Sequence, residues 1–156
     1  MQRLVFVCWG NICRSPMAER VARRMAAERA LDVAVASFGL SDEESGKPID
    51  PRAVSVLEAA GFETQGHRAQ RITTDDIAAA DLVVAAEPYQ VQRLQELAPG
   101  SRHLRLLNDF NPDLPPGTPL QDPWYGDADG FRATLTDITT AMPGVLDEVQ
   151  RCAEGR

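Results

Sequence analysis

The sequence predicts an α/β fold in which a parallel sheet carries helices on both faces. Short apolar runs rich in β-branched residues alternate along the chain with segments whose apolar residues recur at helical spacing. Most of the predicted strands are followed by a helix, the crossover that parallel strands require. At 156 residues the chain is long enough for one domain, which we expect to span residues 1–156.

The first strand is predicted at residues 3–8, RLVFVC, an apolar run with β-branched and aromatic members. Apolar residues at helical spacing then predict a helix over residues 15–30. We expect Ser15 to cap its amino end and Pro16 to take its first position, where a missing N–H costs no hydrogen bond.

The rest of the chain continues this alternation. Further strands are predicted at residues 32–38, 81–86 and 103–107. Further helices are predicted over residues 50–61, 89–98 and 131–152. Gly61 suits a left-handed helix end, whereas Pro143 should interrupt or kink the last helix. The segment 108–129 is rich in proline and glycine, which predicts a long surface loop of the kind that often carries function.

Composition excludes several classes of protein. The 16 basic and 23 acidic residues give a net charge of −7, so nucleic acid is not an expected partner. No apolar run approaches the roughly 18 residues of a membrane span, and the first residues lack the pattern of a secretory signal. We therefore expect a cytoplasmic protein with no membrane partner.

The cysteines and histidines do not predict a metal site. Cys8, Cys13 and Cys152 are an odd and sparse set, which indicates free thiols rather than a disulfide framework. His67 and His103 are isolated and offer no second pair at ligand spacing. We expect neither a metal nor another cofactor.

The stretch from Cys8 to Pro16, CWGNICRSP, predicts a phosphate site. Cys8 ends a strand and a helix begins about six residues later, so backbone N–H groups of the turn can converge on an anion. Arg14 adds a planar fork for two phosphate oxygens. The expected phosphate-binding residues are Trp9, Gly10, Asn11, Ile12, Cys13 and Arg14. The same positive field favours a thiolate at Cys8, which could attack phosphorus with a hydrogen bond from Ser15.

A structural alternative places Cys8 in the core and leaves Arg14 as a solvated charge. For either residue alone that interpretation would be the better one. The joint presence of the strand, Gly10 in the turn and Ser15-Pro16 at the helix start favours the catalytic hypothesis.

Residues 7–19, VCWGNICRSPMAE, closely resemble the low-molecular-weight protein tyrosine phosphatases. The resemblance continues through SFGL at 37–40, GHRAQRI at 66–72, DLVVAAE at 81–87 and DPWYGD at 122–127. It implies a three-layer, flavodoxin-like fold with four parallel strands in the order 2-1-3-4. It also implies hydrolysis of phosphotyrosine through a phosphocysteine intermediate, with a phosphotyrosine protein or peptide as partner and inhibition by phosphate and similar oxyanions.

Asp122 is the predicted general acid and base. A tyrosine leaving group has a pKa near about 10, so its departure requires a proton. Pro123 holds the backbone of Asp122 extended within the long loop, whereas the nearby Asp127 and Asp129 lack a following proline. The resemblance independently places the acid of the family at Asp122.

Aromatic and bracing residues complete the predicted site. Trp9, Trp124 and Tyr125 could form apolar walls around an aromatic leaving group, and the alternative is ordinary packing or exposure. The position of Trp9 beside the nucleophile weakens that alternative, and the resemblance implies the wall role for Trp124 and Tyr125.

The resemblance implies that Asn11, Ser37 and His67 brace the phosphate loop. Two positions depart from the family pattern: Gln70 replaces a common arginine, and Glu87 replaces a frequent aspartate.

Three other functions remain open. Arsenate reductases resemble this family but use additional cysteines, and residues 75–90 contain none. Protein-arginine phosphatases commonly carry threonine where this chain has Ile12. A noncatalytic anion-binding module could use Cys8 and Cys13 as a redox switch, and such a disulfide could also protect the enzyme.

Overall fold

A computed structural model describes residues 1–154 and shows four parallel strands in the order β2-β1-β3-β4. The strands are β1 (Gln2–Cys8), β2 (Val33–Gly39), β3 (Leu82–Ala85) and β4 (Leu104–Leu106). The helices are α1 (Arg14–Glu28), α2 (Pro51–Ala59), α3 (Thr74–Ala79), α4 (Pro88–Leu97) and α5 (Ala128–Glu154), with a 3₁₀ turn at Leu107–Phe110. The predicted fold class and strand order are confirmed.

The central strand β1 supplies side chains to two separate cores. Leu4 and Phe6 point to the face covered by α1, α2 and α5, whereas Val5 and Val7 point to the face covered by α3 and α4. All four side chains are at most 1% exposed. This alternation follows from the two-residue period of a strand and explains why residues 4–8 of β1 form an uninterrupted apolar run.

The carboxyl ends of β1 and β3 lie at the same edge of the sheet, with Val7 opposite Ala85 in the register. Cys8 pairs with Gly39 of β2 on the other side. The turns that follow these strands therefore meet at one place, as the Cys8 interpretation required.

Ser15 does not cap α1, contrary to the prediction. The helix begins at Arg14 with Cys13 in the cap position, and no side chain caps it. The Ser15 hydroxyl instead contacts Cys8 and Asn11. The predicted helix end at Gly61 is confirmed, since this residue has a φ of 86° just beyond α2.

The last helix also differs from the prediction, since Pro143 does not interrupt it, and one short helix was missed. The last helix begins earlier than expected, at Ala128, and is continuous through Pro143. Its apolar stripe, which includes Ile138, Met142 and Val145, is completely buried, so tertiary packing offsets the hydrogen bond that proline cannot make. The short helix α3 was missed, although Thr73 and Asp76 form a reciprocal capping box at its start.

No helix within residues 1–154 is both long enough and apolar enough to cross a membrane.

Candidate active site

A cavity of about 290 Å³ opens at the carboxyl end of β1 and contains most of the predicted site. Its lining comprises Cys8, Trp9, Gly10, Ile12, Cys13, Arg14, Glu43, Glu44, Asp122, Trp124 and Tyr125. All three predicted catalytic residues are in this set. Glu43 and Glu44 come from the segment after β2 and were not identified from the sequence, because acidic residues in a loop are ordinarily solvated.

The Cys8 sulfur lies at the floor of the cavity and is 3% exposed as a residue. Ser15 Oγ is 3.0 Å from it, and the backbone N–H of Asn11 donates to it at 3.3 Å. Ser15 Oγ accepts from Asn11 Nδ2 at 2.8 Å, and its single proton can be donated to the Cys8 sulfur at 3.0 Å or to the Phe38 carbonyl oxygen at 3.4 Å. These donors suit a thiolate.

Asn11 is the centre of the network behind the phosphate loop, residues 8–14. It is completely buried, with a φ of 61° in the left-handed region that asparagine tolerates. Its Nδ2 donates to Ser15 Oγ and, at 3.0 Å, to Ser37 Oγ. Its Oδ1 accepts from the backbone N–H of Gln70 at 3.0 Å. Since the donor is the backbone, the departure at Gln70 leaves this bond intact.

His67 supports the same residue from the backbone side. Its Nε2 lies 2.6 Å from the carbonyl oxygen of Asn11, so the nitrogen carries the proton and donates. Burial lowers the pKa of His67, and this effect outweighs the hydrogen bond to Asn11, which acts to raise it. The neutral imidazole with a proton on Nε2 satisfies both constraints.

Ser37 extends the network to a buried carboxylate. Its hydroxyl donates to Glu19 Oε1 at 3.2 Å, and Glu19 is paired with Arg20 at 3.1 Å and with Arg23 at 3.6 Å. Glu19 was missed from the sequence as a supporting residue, although it lies inside the segment that carries the family resemblance. Its position on the apolar side of α1 was the available signal.

Arg14 is held in the cavity wall, where it is 3% exposed. Its Nη1 donates to the carbonyl oxygen of Leu120 at 2.8 Å, and its Nη2 is 3.0 Å from Glu87 and 3.6 Å from Asp122. Glu87 follows β3, so the edge of the sheet brings it to Arg14. The departure from aspartate at this position therefore preserves a carboxylate beside the guanidinium.

Asp122 stands at the cavity mouth and is about half exposed, at 49%. Its Oδ1 accepts from the backbone N–H of Trp124 at 3.0 Å, leaving Oδ2 toward Arg14. The competitors are engaged elsewhere: Asp127 accepts from two backbone N–H groups at the start of α5, and Asp129 pairs with Arg132. Only Asp122 among these three lines the cavity.

The aromatic residues lie at the rim. Trp9 and Trp124 are 37% and 39% exposed, so each keeps a covered face, whereas Tyr125 is 96% exposed. The indole N–H of Trp9 donates to Glu43 at 3.3 Å, which fixes the ring beside the entrance. The two indoles are better placed than Tyr125 to form walls.

Cys13 shares the cavity but sits in a different environment from Cys8. Burial raises its pKa, and the negative charges of Asp50 and Cys8 act in the same direction. Asp50 itself has a lowered pKa, because hydrogen bonds from Arg52 outweigh the opposing effect of burial. Cys13 is thus held as a neutral thiol.

Residues 1–154 contain no group of three or more histidine, cysteine or acidic side chains arranged to hold a metal ion. The side chains that the cavity itself presents include a thiol, a guanidinium and a carboxyl group, those of Cys8, Arg14 and Asp122.

Residues 3–154 match the family described as low molecular weight phosphotyrosine protein phosphatase. The low molecular weight protein-tyrosine phosphatase A of Mycobacterium tuberculosis is 38% identical over 94% of this chain and 90% of its own length. The low molecular weight protein-tyrosine-phosphatase of Streptomyces coelicolor is 37% identical over 99% and 97%. Among solved structures, Vibrio vulnificus Wzb in complex with benzylphosphonate superposes with a TM-score of 0.83 at 25% identity, covering 94% of this chain and 98% of that one.

Proposed function

The chain belongs to the low molecular weight protein tyrosine phosphatase family and is a phosphoric monoester hydrolase, and from this premise we propose that it hydrolyses phosphotyrosine through a phosphocysteine intermediate. One observation carries the proposal: Asp122, which is far in sequence from the loop that contains Cys8 and Arg14, lines one cavity with both of them. These groups supply a nucleophile, an anion clamp and a proton donor.

In the first step the Cys8 thiolate attacks phosphorus and forms an S–P bond. Backbone N–H groups of the phosphate loop and the guanidinium of Arg14 hold the phosphoryl oxygens. The bond between phosphorus and the tyrosine oxygen breaks, and the electron pair stays on that oxygen, which takes the proton of Asp122. Asp122 therefore enters this step protonated and leaves it as a carboxylate.

In the second step Asp122, now ionised, removes a proton from water as the water attacks phosphorus. The S–P bond breaks and returns the electron pair to sulfur. Ser15 Oγ at 3.0 Å and the Asn11 N–H at 3.3 Å stabilise the departing thiolate. The released phosphate is a product inhibitor, and similar oxyanions should compete for the same loop.

The shape of the cavity supports an aromatic leaving group. Its rim carries Trp9 and Trp124 above a nucleophile that is almost completely buried. A long phosphotyrosine can reach such a floor, whereas the shorter phosphoserine would bring its peptide backbone against the rim. The benzylphosphonate bound by Wzb, which combines an aromatic ring with a tetrahedral anion, is consistent with this substrate class.

The decisive experiment compares the wild type, Cys8→Ser and Asp122→Asn on three substrates. Cys8→Ser should abolish turnover. Asp122→Asn should lower kcat/KM on a phosphotyrosine peptide by about 10²- to 10⁴-fold, and much less on 4-nitrophenyl phosphate, whose phenol is more acidic. The wild-type enzyme should cleave the phosphotyrosine peptide faster than a phosphoarginine peptide of otherwise identical sequence. Faster cleavage of phosphoarginine, or no loss in Asp122→Asn, would contradict the proposal.

A further inference from the structure

The loop that carries Asp122, residues 121–127, is attached mainly at its ends. Before it, the Leu120 N–H donates to the Ala86 carbonyl at 2.8 Å, and Thr134 Oγ1 contacts the Gln121 carbonyl at 3.3 Å. The bonds of Trp124 N–H to Asp122 and of Gly126 N–H to the Pro123 carbonyl are internal to the loop. Internal bonds give the loop a shape but do not place it over Cys8, and the contact of Asp122 Oδ2 with Arg14 Nη2 is long, at 3.6 Å.

Arg52 supplies a contact to the middle of this loop. Its Nη1 donates to the carbonyl oxygen of Trp124 at 2.8 Å. Its guanidinium also stacks on two rings, with the central carbon 5.1 Å from the centroid of Trp124 and 4.9 Å from that of Phe131. Arg52 thus contacts both the backbone and the side chain of Trp124, two residues beyond Asp122.

The same guanidinium is anchored to the other half of the site. Nε and Nη2 each donate at 3.1 Å to a different oxygen of Asp50, a bidentate arrangement that fixes the plane of the guanidinium. The backbone N–H of Asp50 donates to the carbonyl oxygen of Ile12 at 2.8 Å. A continuous path therefore runs from the phosphate loop through Asp50 and Arg52 to Trp124.

We propose that Arg52 is a positioning residue that holds Asp122 over Cys8 by tying the acid loop to the phosphate loop. The inference rests on the proposed function, since it assumes that Asp122 is the general acid. Proton transfer requires hydrogen-bond distance to the leaving oxygen, and small displacements of a catalytic group lower the rate steeply. Within residues 1–154 Arg52 makes no hydrogen bond or ion pair with Cys8 or Asp122, so it acts on the position of Asp122 through Trp124, and its positive charge also acts on Asp122 at longer range.

The test is Arg52→Gln, with kcat/KM measured on a phosphotyrosine peptide and on 4-nitrophenyl phosphate. Removal of the guanidinium should lower kcat/KM on phosphotyrosine by about 10- to 100-fold and on the nitrophenyl ester by less than about threefold. The inhibition constant for inorganic phosphate should stay unchanged, because the phosphate loop is intact. Arg52→Lys should behave like Arg52→Gln, since an ammonium cannot bind Asp50 bidentately and also reach Trp124.

Arg24→Gln is the matched control. Arg24 also stacks on an aromatic ring, with 4.9 Å to the Phe62 centroid, and donates to a backbone carbonyl, that of Ala60, at 3.2 Å. It does not line the cavity, so this variant should retain wild-type kcat/KM on both esters.

The pattern of losses separates the possible failures. An equal fall on both esters in Arg52→Gln, a fall shared by Arg24→Gln, or full activity of Arg52→Gln would overturn the positioning role, even if Asp122→Asn shows the expected dependence on the leaving group. If Asp122→Asn shows no such dependence, the acid assignment fails and the role of Arg52 fails with it. Thermal unfolding of each variant shows whether a uniform fall reflects loss of the fold.

Discussion

Replacement of Asn11 by alanine should destabilise the fold through a cost that can be estimated bond by bond. The side chain makes three hydrogen bonds, to Ser15, Ser37 and the Gln70 N–H, all in a completely buried position. Each contributes about 1 kcal/mol net. Alanine must also adopt the left-handed backbone at φ 61°, at a cost of about 1 kcal/mol. We therefore expect Asn11→Ala to lower the free energy of unfolding by about 4 kcal/mol.

Urea unfolding followed by far-ultraviolet circular dichroism measures this loss. Asn11→Gly removes the same three bonds but relieves the left-handed strain, so it should be about 1 kcal/mol more stable than Asn11→Ala. Thr64→Ala, which removes a single exposed hydrogen bond to Glu58, serves as the control and should change stability by less than about 0.5 kcal/mol. A loss below about 1.5 kcal/mol in Asn11→Ala, outside the range for buried hydrogen bonds, would refute the reasoning.

Three further perturbations test the surroundings of the site. Because burial lowers the pKa of His67, the unfolded chain binds more protons than the folded one below about pH 6.5, and stability should fall with acidification. The urea midpoint of His67→Gln should therefore fall less than that of the wild type between about pH 7 and pH 5. Equal slopes would be inconsistent with a buried neutral imidazole. A Cβ on Gly39 would lie 2.8 Å from the carbonyl oxygen of Trp9, so Gly39→Ala should destabilise the fold by about 1–3 kcal/mol and disturb the phosphate loop. The control is Gly130→Ala in α5, whose Cβ would have no contact closer than 3.9 Å and which should be neutral or stabilising by up to about 1 kcal/mol. Calorimetry measures both variants, and a wild-type melting temperature for Gly39→Ala would contradict the prediction. Chelators should leave phosphotyrosine hydrolysis unchanged, because the proposed steps use only a thiolate, a guanidinium and a carboxyl group; a loss of activity restored by a divalent ion would require another mechanism.

The sheet could be predicted because its strands are buried on both faces. Runs such as residues 4–8 are apolar throughout, which identifies them without knowledge of their partners. Helix ends were less certain. Serine is a common helix-capping residue, but the Ser15 hydroxyl contacts the Cys8 sulfur instead. This contact depends on the loop conformation. Pro143 likewise remains within α5 because burial of the helix stripe outweighs one lost bond.

Site residues could be predicted from the sequence where they belong to a local motif. Residues whose role depends on contacts between distant segments could not. Cys8 and Arg14 share one loop, and Asp122 is marked by its proline. Arg52 and Glu19 carry no such mark, because a charged residue on a helix is usually solvated. Their contacts with Trp124 and Ser37 arise only when the chain has folded.

Because β1 is paired on both sides, the strand that ends at Cys8 and the loop that carries Asp122 should differ in their local stability. Backbone amides of a central, doubly paired strand exchange hydrogen for deuterium only when the whole domain opens, whereas loop amides exchange through local fluctuations. Deuterium should therefore enter residues 122–127 well before it reaches residues 4–8. The nucleophile would then lie at the end of the most protected strand, and the carboxyl group on a segment that exchanges more readily.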